Sequence, residues 1–447
     1  MIIILSVLLA FASTTFAQTP LTPTETKIVQ TVNAENPQAL DLIRQLVEIN
    51  SGTRNLEGVR AVGKVLIPQF EALGFHVRWV PMDEVQRAGT LVAEHLCPAG
   101  TGKCGKRMLL IGHMDTVFEK DSPFQHYSVN GTTGTGPGAS DMKGGLVVML
   151  YALKAMQAAG ALENSEITAV LSGDEESAGR PVAIARRDMI EAAKHSDVAL
   201  EFEGQAREHG TYFGSTSRRG SIEWHLEATG STGHSAGIFS PSVGYGAIYE
   251  IARILDTFRT QVPEPNLTFS VGLVVGGTTA QLNPDGTSGT VTGKDNIIPP
   301  IAYANGDIRA LSNDQAARVE QKMQAIVAQH LPRTNATIKF DEGYPSMAPT
   351  AGNRALLGML NQVNRSLGKP EMPELDPMKR GAGDVSFVAQ YVDALAGVGA
   401  SGSGAHAAGE TIDLSAQPLN TKRAALLMYL LTQVDAGKNL TDLSAPK

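Results

Sequence analysis

MLLIGHMDTVFEKDSPFQHYSVNGTTGTGPGASDMKGG, residues 108–145, is the stretch on which the reading of this chain turns. The apolar run Met108 to Ile111 predicts a strand buried on both faces. His113 and Asp115 follow at its end, two residues apart, so their side chains can point the same way. A Gly-rich loop then leads to Asp141, just before Met142-Lys143-Gly144-Gly145. The apolar segment Leu146 to Met156 predicts a helix opening there. An imidazole and two carboxylates thus fall where loops gather at the carboxyl edge of an α/β sheet. Zinc and related cations take these donor types. A His-x-Asp pair alone is common on protein surfaces, and Asp141 alone could be a turn residue. The metal reading therefore depends on further donors at neighbouring strand ends.

The chain has 447 residues, 42% hydrophobic and 18% charged, which predicts two or three globular domains with ample core. A net charge of −8 argues against a nucleic-acid partner, which calls for basic patches. Ile2 to Phe11 is almost wholly apolar, and Thr15-Phe16-Ala17 offers a small-residue cleavage pattern. Residues 1–17 therefore read as a signal peptide, and the protein as secreted or periplasmic. The apolar run is short for a membrane anchor. Cys97 and Cys104 could form a local disulfide in an exported protein, stabilising by about 2.5 kcal/mol on the chain-entropy model. Two free thiols are the alternative, because sequence does not show their Cα separation.

Helical periodicity covers Pro37–Ile49 and Glu57–Leu73, the latter stopped by Gly74. Phe75–Val80, Thr90–Leu96, Glu166–Leu171 and Asp197–Phe202 read as strands, with helices at 145–159 and 180–193 between them. This alternation predicts an α/β fold with a mostly parallel sheet. Ser172-Gly173-Asp174-Glu175-Glu176 stands at one strand end, and Glu201 and Glu203 near another. After Gly214 the texture changes. In Ser221–Ala228, Ile222, Trp224 and Leu226 alternate with Glu223, His225 and Glu227, as in a half-exposed antiparallel strand. Similar strands at 268–275, 303–310 and 336–340, with helices at 242–259 and 312–331, predict an α+β unit over 215–342. The α/β texture then returns: a helix at 353–367, a strand at 394–398 running into the Gly-rich stretch that ends at His406, and a closing helix at 417–434. The gap from Glu203 to His406 is too long for a loop, so 215–342 reads as a domain inserted between catalytic parts 18–214 and 343–447.

Eight motifs occur in order along the chain. They are Gly112-His113-Met114-Asp115-Thr116-Val117, Ser140-Asp141-Met142-Lys143-Gly144-Gly145, Asp174-Glu175-Glu176, Phe202-Glu203, Gly233-His234-Ser235-Ala236-Gly237, Asn296-Ile297-Ile298-Pro299, Asp307-Ile308-Arg309 and Gly404-Ala405-His406. Together they resemble the di-zinc exopeptidase family of glutamate carboxypeptidases, aminoacylases and succinyl-diaminopimelate desuccinylases. The likeness is strongest to the bacterial folate-hydrolysing glutamate carboxypeptidases. It implies a zinc exopeptidase domain with an inserted ferredoxin-like lid and dimerisation domain, and hence a homodimer.

The resemblance also implies roles. Asp141 would bridge two zinc ions, with His113 and Glu203 completing one site and Glu176 and His406 the other; Glu201 is the alternative to Glu203. Two such ions about 3.5–4 Å apart can turn a shared water into hydroxide near neutral pH. Asp115 would orient the His113 ring, and Glu175 would act as general base. His234 would stabilise the oxyanion, and in dimeric members of the family it comes from the partner subunit. Asn296 and Arg309 would hold the substrate carbonyl and C-terminal carboxylate, and Gly381 belongs to a Gly-rich substrate loop. The implied substrate is a small peptide or N-acyl amino acid that loses its C-terminal residue, glutamate first. An aminoacylase and a peptide-binding relative without metals are the competing readings.

Overall fold

The computed structural model describes residues 20–98 and 104–443; the expected signal segment, 1–17, lies outside them. Helix α1 spans Pro23–Val47, longer at its start than the periodicity predicted. Pro37, read as a start, lies inside it, and a capping box between Thr22 and Glu25 fixes its N-terminus. Helix α2 follows at Leu56–Glu71. Strands β1 (His76–Met82), β2 (Arg87–His95), β3 (Met108–His113), β4 (Ile167–Ser172) and β5 (Val198–Glu201) then build one sheet, and helix α3 (Gly144–Ala158) runs between β3 and β4. The expected 180–193 helix is two, Val182–Ala185 and Arg187–Lys194, broken at Arg186.

The inserted unit holds strands β6 (Ile222–Gly230), β7 (Thr268–Gly277), β8 (Ile301–Arg309) and β9 (Thr334–Phe340), with helices α4 (Ala247–Gln261) and α5 (Asn313–Val327). The chain then returns through α6 (Ala351–Ser366), strand β10 (Asp393–Leu395) and α7 (Gln417–Thr432). The main sheet has the order β1-β2-β4-β3-β5-β10. It is parallel from β4 across to β10. The β1 and β2 pairings at the other edge are antiparallel. Every residue of β3 is buried, as its apolar run requires. Met108 and Leu110 pack into one core with α1, α2, α3 and α7, while Leu109 and Ile111 pack into a second core on the opposite face.

The second sheet, ordered β7-β8-β6-β9, is antiparallel throughout. Trp224, Leu226 and Ala228 of β6 face α4 and α5, with Trp224 set edge-on against Phe258 at 5.9 Å. Glu223 and Glu227 are exposed on the other face. The two chain crossings into this lid are themselves paired. Arg218 and Met347 exchange two backbone hydrogen bonds of 2.9 Å, and so do Ser221 and Tyr344. Near the far edge of the main sheet a disulfide joins Cys97 to Cys104, with Cα atoms 5.9 Å apart. No described helix is long and apolar enough to cross a membrane.

Two glycines let three segments converge just past β5. A Cβ at Gly145 or at Gly399 would lie 1.9 Å from the Phe202 carbonyl oxygen. Neither position has room for a methyl group without moving backbone. Gly145→Ala and Gly399→Ala should each destabilise the fold by about 3 kcal/mol, the upper range for overpacking. Denaturant melts would check this, with Gly358→Ala as control, since a Cβ at Gly358 meets nothing within 4 Å.

Candidate metal centre

The carboxyl ends of β3, β4 and β5 point the same way because the strands are parallel, and His113 stands in register with Ser172. His113 is the last residue of β3, and its Nε2 lies 3.2 Å from Asp141 Oδ1. His406 arrives from the loop after β10, its Nε2 3.2 Å from Asp141 Oδ2 and 3.1 Å from Glu176 Oε2. The two oxygens of Asp141 thus face two different histidines. His113, Asp141 and Glu176 offer ligand atoms all within 4.8 Å of one another, and so do His113, Glu175 and Glu203. Glu203 therefore belongs to the cluster. Glu201 is directed elsewhere, to Arg218 at 2.5 Å and to the Val385 amide at 3.0 Å.

The charges of these groups are strongly coupled. Burial raises Glu175 well above the usual carboxylate range, and it lifts Glu176 to about 7. Burial also opposes a charge on His113, but Asp115 and Asp141 outweigh it and hold the imidazolium well above its ordinary pKa. Hydrogen bonds to Asp141 and Glu176 push His406 up to about 11. Burial works against ionised Asp141 as well, yet the two histidines keep it below the usual range. Carboxylates and imidazoles are thus crowded together and hold one another's charge. Oxygen and imidazole donors around one shared carboxylate suit a pair of borderline divalent ions.

Buried hydrogen bonds fix the cluster in place. The Asp115 carboxylate accepts from Thr53 Oγ1 at 2.6 Å and from the amides of Glu175 and Glu176 at 3.0 and 3.1 Å. One of its oxygens lies 3.4 Å from His113 Nδ1. Sequence reasoning missed several supports. Glu410 is fully buried and accepts from the amides of Gly138, Ser140 and Asp141 and from the Ser140 hydroxyl, at 2.7–2.9 Å. Arg186 joins Asp174 at 2.7 Å to Asp384 at 2.6 Å. Arg218 bridges Glu201 and Glu203, both at 2.5 Å. Tyr344 donates to the Glu175 carbonyl at 2.6 Å. The Arg218-Arg219 pair, ahead of a strand, was the one sequence signal available for this set.

The lid residues are placed differently. His234 is exposed, and its Nδ1 accepts from the Ala236 amide at 3.1 Å. It forms a bridge with Ile297, so its loop lies against the one carrying Asn296, which is also exposed. Arg309, on β8, pairs with Asp307 at 2.7 Å. A Cβ at Gly381 would stand 3.8 Å from the Arg309 guanidinium. The structure therefore gathers His113, Asp141, Glu175, Glu176, Glu203 and His406 in one cluster. Arg309 and Gly381 meet beside it, and His234 and Asn296 stay together on the lid.

Comparison with known proteins gives the family and the fold. The family model described as peptidase family M20/M25/M40 matches residues 109–429. Carboxypeptidase G2 of Pseudomonas sp. (strain RS-16) is 27% identical over 425 residues, covering 92% of each chain. The crystal structure of aminopeptidase PepT from Bacillus cereus superposes with a TM-score of 0.66 at 16% identity, covering 89% of this chain and 98% of that one. The YXEP protein of Bacillus subtilis, described as a dinuclear metal binding peptidase, gives a TM-score of 0.61 at 14% identity, covering 90% and 99%.

Arg186 supplies a direct test of how the acids are held. Its side chain is 1% exposed, between two carboxylates that are equally hidden. Arg186→Met keeps the volume and removes the charge, leaving Asp174 and Asp384 without their cation. The expected loss is about 3–5 kcal/mol in urea unfolding, the cost of breaking a buried pair from one side. A loss under about 1 kcal/mol would show that the two acids need no cation there.

Proposed function

This chain belongs to peptidase family M20/M25/M40, and on that premise we propose that it is a zinc-dependent exopeptidase releasing a C-terminal amino acid, glutamate first, from a small peptide or N-acyl amino acid. The observation that carries the proposal is Asp141, one carboxylate facing His113 on one oxygen and His406 on the other. Carboxypeptidase G2, similar along 92% of its length, supports the carboxypeptidase form of the reading over the aminoacylase form.

In this reading His113, Asp141 and Glu203 would hold one zinc ion, and Asp141, Glu176 and His406 the other. When bound, the ions supply Lewis acidity to the amide carbonyl and acidify water. The remaining steps belong to the protein. Asp115 keeps the His113 ring turned with Nε2 toward Asp141. Glu175 is the general base. Burial raises its affinity for a proton, which suits a group that takes one from water and returns it to the leaving amine. Arg309 offers its guanidinium to the C-terminal carboxylate, beside the open Gly381. His234 and Asn296 serve the oxyanion and carbonyl once their lid face meets a cluster, in the same chain or in a second copy. A homodimer is the assembly proposed. Strand β7 is an exposed sheet edge with Val271 and Val274 40% and 50% accessible, the kind of edge that pairs with another strand. Export is proposed from the apolar N-terminus, and the Cys97–Cys104 disulfide suits an oxidising compartment.

Metal binding should be a proton-releasing event. The metal-free histidines are held protonated, His406 up to about 11, and zinc takes only neutral imidazole. Zinc affinity should therefore rise with pH from neutrality up through the raised range of the two histidines, with protons released on binding at neutral pH. Calorimetry in buffers of different ionisation enthalpy measures this. Asp141→Ala should lose both ions, and retention of two would remove Asp141 as the bridge.

The base assignment has its own test. Glu175→Gln preserves shape but does not accept a proton. We expect kcat to fall at least ~100-fold while two zinc ions stay bound. A near-normal rate would move the base to another group.

A further inference from the structure

A cleft of 290 Å³ opens against Asp141 and Glu203, lined also by Arg207, Lys379 and Arg380. Two of its three cations are already neutralised. Arg207 pairs with Asp413 at 2.9 Å, and Lys379 with Glu208 at 2.5 Å. Arg380 is different. Its terminal nitrogen donates to the Gly204 carbonyl at 2.8 Å and reaches Glu203 only at 3.5 Å. Its Nε is buried with no hydrogen-bond partner among the described residues. The nearest carboxylate, Glu203, is occupied by Arg218 at 2.5 Å. A guanidinium that is 17% exposed, with an orphaned donor and no carboxylate of its own, is costly to keep unless something anionic joins it.

We propose that Arg380 is the binding group for a second carboxylate of the substrate, the side-chain acid of the released residue. The proposal rests on the exopeptidase reading above and deepens it. Arg309 and Arg380 reach the substrate region at the same stretch of chain. Arg309, offered to the C-terminal carboxylate, lies beside Gly381, and Arg380 is the next residue in the chain. The Arg380 guanidinium itself lies by Gly204 and Gly397, in the cleft against Asp141 and Glu203, where it is able to take a carboxylate fork-on.

The test compares two leaving residues that differ by one charge. N-acyl glutamate and N-acyl glutamine share the backbone carboxylate and nearly the same shape. The zinc-loaded enzyme should favour the glutamate compound by about tenfold or more in kcat/KM, the scale of one charge-assisted bond. Arg380→Gln should bring the ratio to within about twofold of unity, and Arg380→Lys should keep part of it. Free glutamate against free glutamine, titrated calorimetrically into the same proteins, should give the same pattern without turnover. The proposal is overturned if wild type treats the two alike, or if Arg380→Gln slows both and leaves their ratio intact, which would mark Arg380 as a support for Glu203. Failure of the zinc-loaded wild type to hydrolyse either compound would count against the exopeptidase reading, and the calorimetric ratio would still decide on Arg380.

Discussion

Like charges gathered at one sheet edge are the constraint on which this structure depends. Asp115, Asp141, Glu175, Glu176 and Glu203 reach one small volume with only two imidazoles among them. Acids this close repel by several kcal/mol even at moderate effective dielectric. The protein answers with fixed counter-groups outside the donor set. Arg186 holds Asp174 and Asp384, and Arg218 holds Glu201 and Glu203. Backbone amides take up Asp115 and Glu410. Within the donor set itself, Asp141 is held between His113 and His406, at 3.2 Å from each.

The same groups link the catalytic sheet to the lid. Arg218 leads into the inserted unit and Tyr344 leads out of it, and their segments are joined by backbone hydrogen bonds. Arg218 grips Glu203, and Tyr344 grips the carbonyl of Glu175. Both crossings therefore end on residues of the cluster. A rotation of the lid about this paired link acts on the general-base candidate and on one ligand candidate directly, through single hydrogen bonds rather than a long relay.

Much of this was legible in the sequence, for a physical reason. The Met108–Ile111 run is apolar because β3 is buried on both faces, and donors appear just after strands because parallel strands end at one edge. The alternation around Trp224 announced the half-exposed lid sheet in the same way. The start of α1 was misplaced because Pro37 reads as a helix start, yet it sits inside a helix that begins at the Thr22–Glu25 capping box and buries Ile28 and Val32. The antiparallel β1–β2 edge was not legible, because side-chain alternation does not encode strand direction. Glu410 and Arg380 were invisible for another reason. Each is a single polar residue in a loop, and its importance comes from what tertiary folding sets beside it.

The Glu410 clamp ties together loops 270 residues apart in sequence. The lid between them closes on its own contacts within 222–340. The two halves of the molecule therefore have opposite histories during synthesis. The lid has what it needs as soon as its last strand has been made. The catalytic sheet must wait for β10, for α7 and for Glu410 itself, because contacts so distant in sequence form slowly and late. Until the final thirty or so residues have docked, the Asp141 loop has no carboxylate to gather its amides. A nascent chain would carry its acids open to solvent and unable to hold a metal pair. The Asp141 loop is thus organised by a residue that the chain supplies 269 positions later.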